Sequence, residues 1–185
     1  MTTQPKSTQH AASPELFDEM LIVMAQAGDR GAGERLFGRW NPRLLRAARR
    51  YCGEEEAARD LVQDSWLAIW KGLGALRDAR RFRAFAFSVL YRRGADHLRK
   101  VIRERDHLAA QADQLPSEAE PPRQSDALAI AQSFAQLPPD QRLAAHLYFV
   151  EGLTLGEIAT VQRVPEGTAK SRLFHARRTL KAALS

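Results

Sequence analysis

From residue 13 onward, apolar positions recur at intervals of three and four, and the strict alternation of a half-buried strand never takes over. Ser13 followed by Pro14 is an N-cap with a first-turn proline, and it opens a helix that Gly28 stops. The spacing predicts a short helix from Asp29 to Trp40, a restart at Asn41-Pro42, and an end at Gly53 just after Cys52. "EEEAARDLVQDSWLAIWKGL" starts with acids, which suit the positive end of a helix dipole, and closes at Lys71-Gly72. After the loop "GALRDARR" a long helix is predicted from Phe82 to Arg105.

Residues 106–124 break the pattern. They contain "QLPSEAEPPR", too long and too rich in proline and acid for a loop inside a compact domain, and so mark a boundary. Ser125 caps the next predicted helix, which ends near Leu137 before two prolines, and another runs from Asp140 to Glu151 and stops at Gly152. Thr154 and Glu157 form a T-x-x-E capping box at the head of a helix with Leu155, Ile158 and Ala159 inward. "VQRVP" then turns into the last helix, residues 166–181. Residues 1–12 are polar and patternless and are expected to be a disordered tail. The class is therefore all-α: two small helical domains, 13–105 and 125–185, joined by a flexible acidic linker over 106–124.

Charge sharpens this division. The formal net charge of +6 favours an anionic partner, nucleic acid before a membrane surface. Residues 77–105 hold ten Arg/Lys against three acids, a net +7, and residues 166–181 hold five against one, a net +4. Residues 106–126 carry five acids and only Arg123, a net −4. Two basic blocks on either side of an acidic stretch suggest two contacts on one polyanion.

The last helix has a narrow apolar seam of Ala169, Leu173, Ala176 and Leu180, with basic and polar side chains around the rest. A short helix, a turn and a second basic helix make a helix-turn-helix, whose second helix enters the major groove with its first turns on base edges. Lys170 can donate to guanine O6 and N7, Ser171 and His175 can donate or accept, and Phe174 can press on a thymine methyl. Arg177, Arg178 and Lys181 lie further along and suit phosphates. On pattern alone, a capped hairpin with a solvated charged face is the alternative.

The stretch "LPPDQRLAAHLYFVEGLTLGEIATVQRVPEGTAKSRLFHARRTL" resembles domain four of the extracytoplasmic-function (ECF) sigma factors of the sigma-70 family. The resemblance is carried by Leu137-Pro138, Arg142, Glu151-Gly152, Glu157-Ile158-Ala159, Gly167 through Leu173, and Ala176-Arg177. Two positions depart from it: the turn lacks its usual glycine, and His175 stands where arginine is usual. The resemblance implies duplex reading at minus thirty-five by Thr154, Thr168, Lys170, Ser171, Arg172, Phe174, His175 and Arg178.

Residues 28–100 are similar to the family's domain two. "DLVQDSWLAIW" matches the helix that, in the family, grips the clamp helices of the polymerase β′ subunit. Asp60, Gln63 and Asp64 are the implied polar contacts, and their i, i+3, i+4 spacing puts them on one helical face. Leu61, Leu67 and Trp70 are expected in the core and Trp66 at the patch edge. "FRAFAFSVLYRRGADHLRK" matches the promoter-melting, minus-ten-reading helix. A single-strand reader needs cations for phosphates and rings for unstacked bases. Arg80, Arg81, Arg83, Arg92, Arg99 and Lys100, with Phe87 and Tyr91, are the implied set, and a base pocket is expected in the 73–82 loop. Phe82, Phe85, Val89 and Leu98 are expected to be core. Here too there are departures, Phe85 replacing a usual tryptophan and Tyr91-Arg92 a usual Arg-Asn.

The resemblance implies a promoter-directing subunit of RNA polymerase with no chemistry of its own. Its partners would be core polymerase (β′ clamp helices and β subunit), promoter DNA and an anti-sigma protein, and a stress-response regulon goes with that reading. The alternative function is a stand-alone helix-turn-helix regulator, against which "DLVQDSWLAIW" argues. No phosphate-cradling loop, nucleophile elbow or H-E-x-x-H occurs, and the single Cys52 and scattered histidines predict neither cofactor nor metal. With no apolar signal core and no spanning run, a cytoplasmic protein without membrane insertion is expected.

Overall fold

The computed structural model describes residues 13–109 and 136–182, and every element in them is helical. The first is α1, Pro14–Gln26, capped by the Ser13 hydroxyl, which accepts from the Leu16 amide at 3.3 Å. The second, α2, spans Arg30–Cys52, with Asp29 accepting from the Ala32 amide at 3.0 Å. Gly53 closes it in the left-handed region, φ 84°, where a side chain would be strained.

The predicted break at Asn41-Pro42 does not occur, and α2 passes straight through Pro42. Proline in a helix interior loses one amide bond and presses on the carbonyl four residues back, a cost of roughly 3 kcal/mol. Buried side chains on both sides of it outweigh that cost. Leu36 and Trp40 before, and Leu44, Ala47, Ala48 and Tyr51 after, form one continuous stripe, and each large apolar side chain so buried is worth about 1.5–3 kcal/mol. Asn41 is held as well, its Oδ1 accepting from Trp66 Nε1 at 3.1 Å.

The third helix, α3, spans Glu55–Leu73 and packs on α2. A single 3-10 turn, Ala79–Arg81, capped by Asp78, leads into α4, Phe82–Ala109. This last helix runs one turn beyond the predicted end at Arg105. Gly94 lets α4 approach α2, since a Cβ there would lie 2.6 Å from the Tyr51 ring.

After the undescribed segment come α5 (Pro139–Phe149), α6 (Leu155–Gln162) and α7 (Glu166–Ala182). The predicted tail, the linker beyond Ala109 and most of the helix from Ser125 lie outside the described residues. The three C-terminal helices pack on each other and also on the N-terminal four: α5 lies against α2, and α6 against α4. The two helical groups therefore form one block.

Candidate nucleic-acid and protein interfaces

On α3 the buried positions are Ala58, Leu61, Val62, Ser65, Trp66, Ile69 and Leu73. Asp60, Gln63 and Asp64 are left on the opposite side, all exposed. Leu67, expected in the core, is 58 % exposed, and Trp70 is 37 % exposed. Position 67 follows Gln63 by four and Asp64 by three, so it shares their face. Trp66, expected at the patch edge, is only 4 % exposed. Its indole N–H finds Asn41 inside, and its ring stacks on Trp70 at 5.2 Å and meets Phe37 at 4.9 Å. The result is an acidic and polar strip bordering an apolar platform of Phe37, Leu67 and Trp70, with a shallow groove of about 320 Å³ between them.

The α4 side chains divide differently. Phe82 and Val89 are buried as expected, while Phe85 and Leu98 are half-buried. Phe87, assigned as a ring for unstacked bases, is 0 % exposed and packs 6.0 Å from Trp40. It sits one turn from Leu90 on the face pressed against α2, so the assignment fails and the residue is core. Tyr91 is half-buried, edge-on to Tyr51 at 5.6 Å. Arg80 and Arg81 lie beside the Asp78 carboxylate at 3.0 and 3.8 Å. Arg99 pairs with Asp96, and Arg92 reaches back to the Ser88 carbonyl. Arg83 points across the molecule, donating to the Glu157 carboxylate at 3.1 and 3.3 Å and to the Glu151 carbonyl at 3.3 Å. A cavity of about 290 Å³ opens beside it, between Trp40, Arg43, Ala79, Arg80 and Phe82, at the foot of the 73–82 loop.

The capping box of α6 forms as read. The Thr154 hydroxyl accepts from the Glu157 amide, and the Glu157 carboxylate accepts from the Thr154 amide at 2.8 Å. The hydroxyl of Thr154, assigned to DNA, is thus engaged in the helix start. Arg163 occupies the glycine-free turn with φ 52°, left-handed like a glycine. Along α7, Ala169, Leu173 and Ala176 are buried and Leu180 half-buried, as the seam predicts. Arg172 does not face outward. It pairs with Asp140 at 2.6 Å, donates to Gln162 at 2.9 Å, and ties α7 to α5 and α6. Thr168, Lys170, Ser171, Phe174 (60 % exposed) and Arg178 are on the open face, with His175 half-exposed beside them. Arg177 lies over the Phe149 ring at 5.7 Å.

Between the two helical groups, Glu151 is nearly fully buried and accepts from Arg43 at 2.8 Å, with His146 3.6 Å away. Arg43 stacks on Trp40 at 3.9 Å and lies 3.8 Å from Asp18, which also holds Arg39 and the Trp40 indole. Burial alone would push the Glu151 carboxyl up, but His146 and Arg43 together hold it below its ordinary 4.5. Glu157 is also held low, its burial outweighed by the Thr154 amide and Arg83. Cys52 is half-buried, and burial pushes its thiol up to about 11.

Residues 36–104 match the family described as Sigma-70 region 2, and residues 127–180 match Sigma-70, region 4. The ECF RNA polymerase sigma factor SigM of Mycobacterium tuberculosis is 30 % identical over 171 residues, covering 92 % of this chain and 86 % of that protein. The chain belongs to the ECF sigma factors of the sigma-70 family. The RNA polymerase sigma-H factor of Pseudomonas aeruginosa is 28 % identical over 182 residues, covering 90 % of this chain and 93 % of its own. Among solved structures, the sigma factor RpoE in complex with the anti-sigma factor NepR, from Bartonella quintana, matches with a TM-score of 0.66 at 25 % identity. That match covers 82 % of this sigma factor and 95 % of the other chain.

The contacts between regions 2 and 4 were missed in the sequence of this sigma factor. Arg43 and Glu151 are 108 residues apart, and no periodicity links positions at that distance. The apolar platform left a fainter signal, since Leu67 has the helical register of Gln63 and Asp64. No group of three His, Cys, Asp or Glu that could hold a metal occurs among the described residues, and no helix there is long and apolar enough to cross a membrane.

Proposed function

We propose that this sigma factor binds core RNA polymerase and directs it to promoters of a stress-type regulon, contributing recognition while catalysis stays with the polymerase. The observation that carries the reading is the α3 strip. Asp60, Gln63 and Asp64 stand exposed on one face beside Leu67 and Trp70, in a chain that ends in an outward-facing recognition helix. Interfaces draw most of their affinity from a few aromatic anchors ringed by polar groups. The strip has that composition, and it supports docking on the β′ clamp helices, with the β subunit as a further contact.

Region 4 reads the minus-thirty-five duplex with Lys170, Ser171, Phe174 and His175 on base edges, while Thr168 and Arg178 hold phosphates. Region 2 reads the opened minus-ten strand. Arg80, Arg81, Arg92, Arg99 and Lys100 supply charge along it, Tyr91 a half-exposed ring, and the cavity beside the 73–82 loop receives an extruded base. Each site is weak by itself, and their connection raises the effective concentration of one for the other. An anti-sigma partner is consistent with the relative solved in complex with one.

The test is run-off transcription with purified core polymerase on a pool of genomic fragments. Discrete transcripts that appear only with the protein support the reading. Stable DNA binding with neither core binding nor new transcripts would leave a stand-alone regulator.

A further inference from the structure

In the closed block, region 4 carboxylates hold region 2 guanidinium groups. Glu157 receives two hydrogen bonds from Arg83, and Glu151 receives Arg43 from within the interface. Both arginines line the cavity of about 290 Å³ at the foot of the 73–82 loop, where Arg39 and Arg80 join them and Glu15, Asp18 and Glu19 face them beside Trp40 and Phe82. That volume is close to the ~300 Å³ at which small-ligand sites begin. A carboxylate on a guanidinium presents the same two-oxygen, singly charged partner that a backbone phosphate presents. Strand phosphates running past this cavity would need the groups that Glu151 and Glu157 now hold.

Geometry also sets the closed block against promoter binding. At 3.4 Å per base pair, elements centred about 25 base pairs apart lie roughly 85 Å from each other along the duplex. Here α6 of region 4 rests directly on α4 of region 2. One chain cannot read both elements while closed.

We propose that Glu151 and Glu157 form a carboxylate latch that keeps this sigma factor closed by occupying, on Arg43 and Arg83, the sites that single-stranded DNA phosphates take in the open form. The inference rests on the assignment of region 2 as the strand reader. Latch and strand are then competitors, and by linkage whatever opens the block raises strand affinity by the same factor by which the strand favours opening. Opening does not require the recognition helix to change, because its reading face is already outward.

The test uses the full-length chain and a fluorescein-labelled random single-stranded oligonucleotide of about twelve nucleotides, within the usual footprint of a strand-binding fold. Glu157→Gln keeps the capping box, since glutamine serves at that position, and removes the charge that holds Arg83. Glu151→Gln removes the nearer carboxylate on Arg43, at 2.8 Å, and leaves Asp18 at 3.8 Å. The double variant should bind the oligonucleotide about 5- to 25-fold more tightly than wild type, on the order of one partly exposed ion pair released per site. Its radius of gyration in small-angle scattering should rise, with helical circular dichroism unchanged. Glu56→Gln, at an exposed acid on α3 that does not line the cavity, carries the same charge change as either single variant and should leave both readings at wild-type values. A double variant that stays compact, or that opens and binds no better than Glu56→Gln, overturns the proposal. Core-polymerase pull-down on the same proteins reports separately on the proposed function, so a chain that binds core but whose strand affinity ignores both glutamates would sink the latch alone.

Discussion

The two basic helices α4 and α7 have similar charge in the sequence and opposite availability in the fold. On α4 and its leading turn Arg80, Arg81 and Arg99 stay exposed beside the local acids Asp78 and Asp96, whereas Arg83 is held by Glu157 of the other helical group. On α7, Lys170 and Arg178 face outward with no ion pair among the described residues, while Arg172 turns in toward Asp140 and Arg177 lies over the Phe149 ring. The face proposed to read duplex is therefore open, while Arg83 and Arg43 at the proposed strand site are held by region 4 carboxylates. Charge density identifies a nucleic-acid surface; the acids folded against it decide when that surface is usable.

The aromatic residues separate the two helices most sharply. Phe87 is sealed beneath α4, so Phe87→Ala should cost about 3–5 kcal/mol of stability, whereas Phe174→Ala, on the open face of α7, should stay within roughly 0.5 kcal/mol. Urea unfolding of both variants checks this. Comparable losses would mean that Phe174 is also a packing residue and that α7 is not open. Base selection gives the next effect. Lys170→Ala should lose about 1–3 kcal/mol of discrimination at one position of the minus-thirty-five element. Arg178→Ala should instead weaken all sequences alike and flatten the salt slope by about one. Site selection from a random duplex pool distinguishes them, and identical motifs from wild type and Lys170→Ala would reduce α7 to a charged cover.

Acid should act on the contact between the two groups. The folded-state carboxyls of Glu151 and Glu157 lie below their ordinary 4.5. Their contribution is therefore complete above that value and is lost as pH falls through the lower folded-state values. Scattering from pH 6 downward should show the block opening below about 4.5, before helical circular dichroism is lost. A block unchanged until global unfolding would show that the carboxylates do not hold it. The smallest effect belongs to the turn before α7. Arg163 has a left-handed conformation, which costs a non-glycine residue roughly 1 kcal/mol. Part of that returns as unfolded-chain entropy in glycine, so Arg163→Gly should stabilise by at most about 1 kcal/mol in the same urea assay, and a loss would mean that the Arg163 side chain makes up for its backbone.

Local chemistry was the legible part of this sequence. Ser13 and Thr154 cap helices because a side-chain oxygen needs only the amide two or three residues on, and that is written in adjacent positions. The seam of α7 and the exposed strip of Asp60, Gln63 and Asp64 follow from helical period alone. The misreadings arose where tertiary packing overrode local signals. Pro42 marks a helix start when taken by itself, yet the Leu36–Tyr51 stripe carries the helix through it. Leu67 and Trp70 read as core by hydrophobicity, although Leu67 is 58 % and Trp70 37 % exposed on the side of α3 that carries Gln63 and Asp64. Phe87 reads as an available ring beside many arginines, and only its packing against Trp40 of α2 shows that it is buried. The Arg43–Glu151 and Arg83–Glu157 contacts had no local signature at all, because each joins groups that only the folded chain brings together.

Docking of the α3 strip on polymerase is what the proposed function turns on. The direct measurement is the affinity of purified core RNA polymerase for the wild-type chain and for Asp60→Lys/Asp64→Lys, with circular dichroism on both. Both side chains are exposed, so the fold should be unaffected, and affinity for core should fall by at least tenfold, about 1.4 kcal/mol. Unchanged affinity with unchanged circular dichroism would contradict the account.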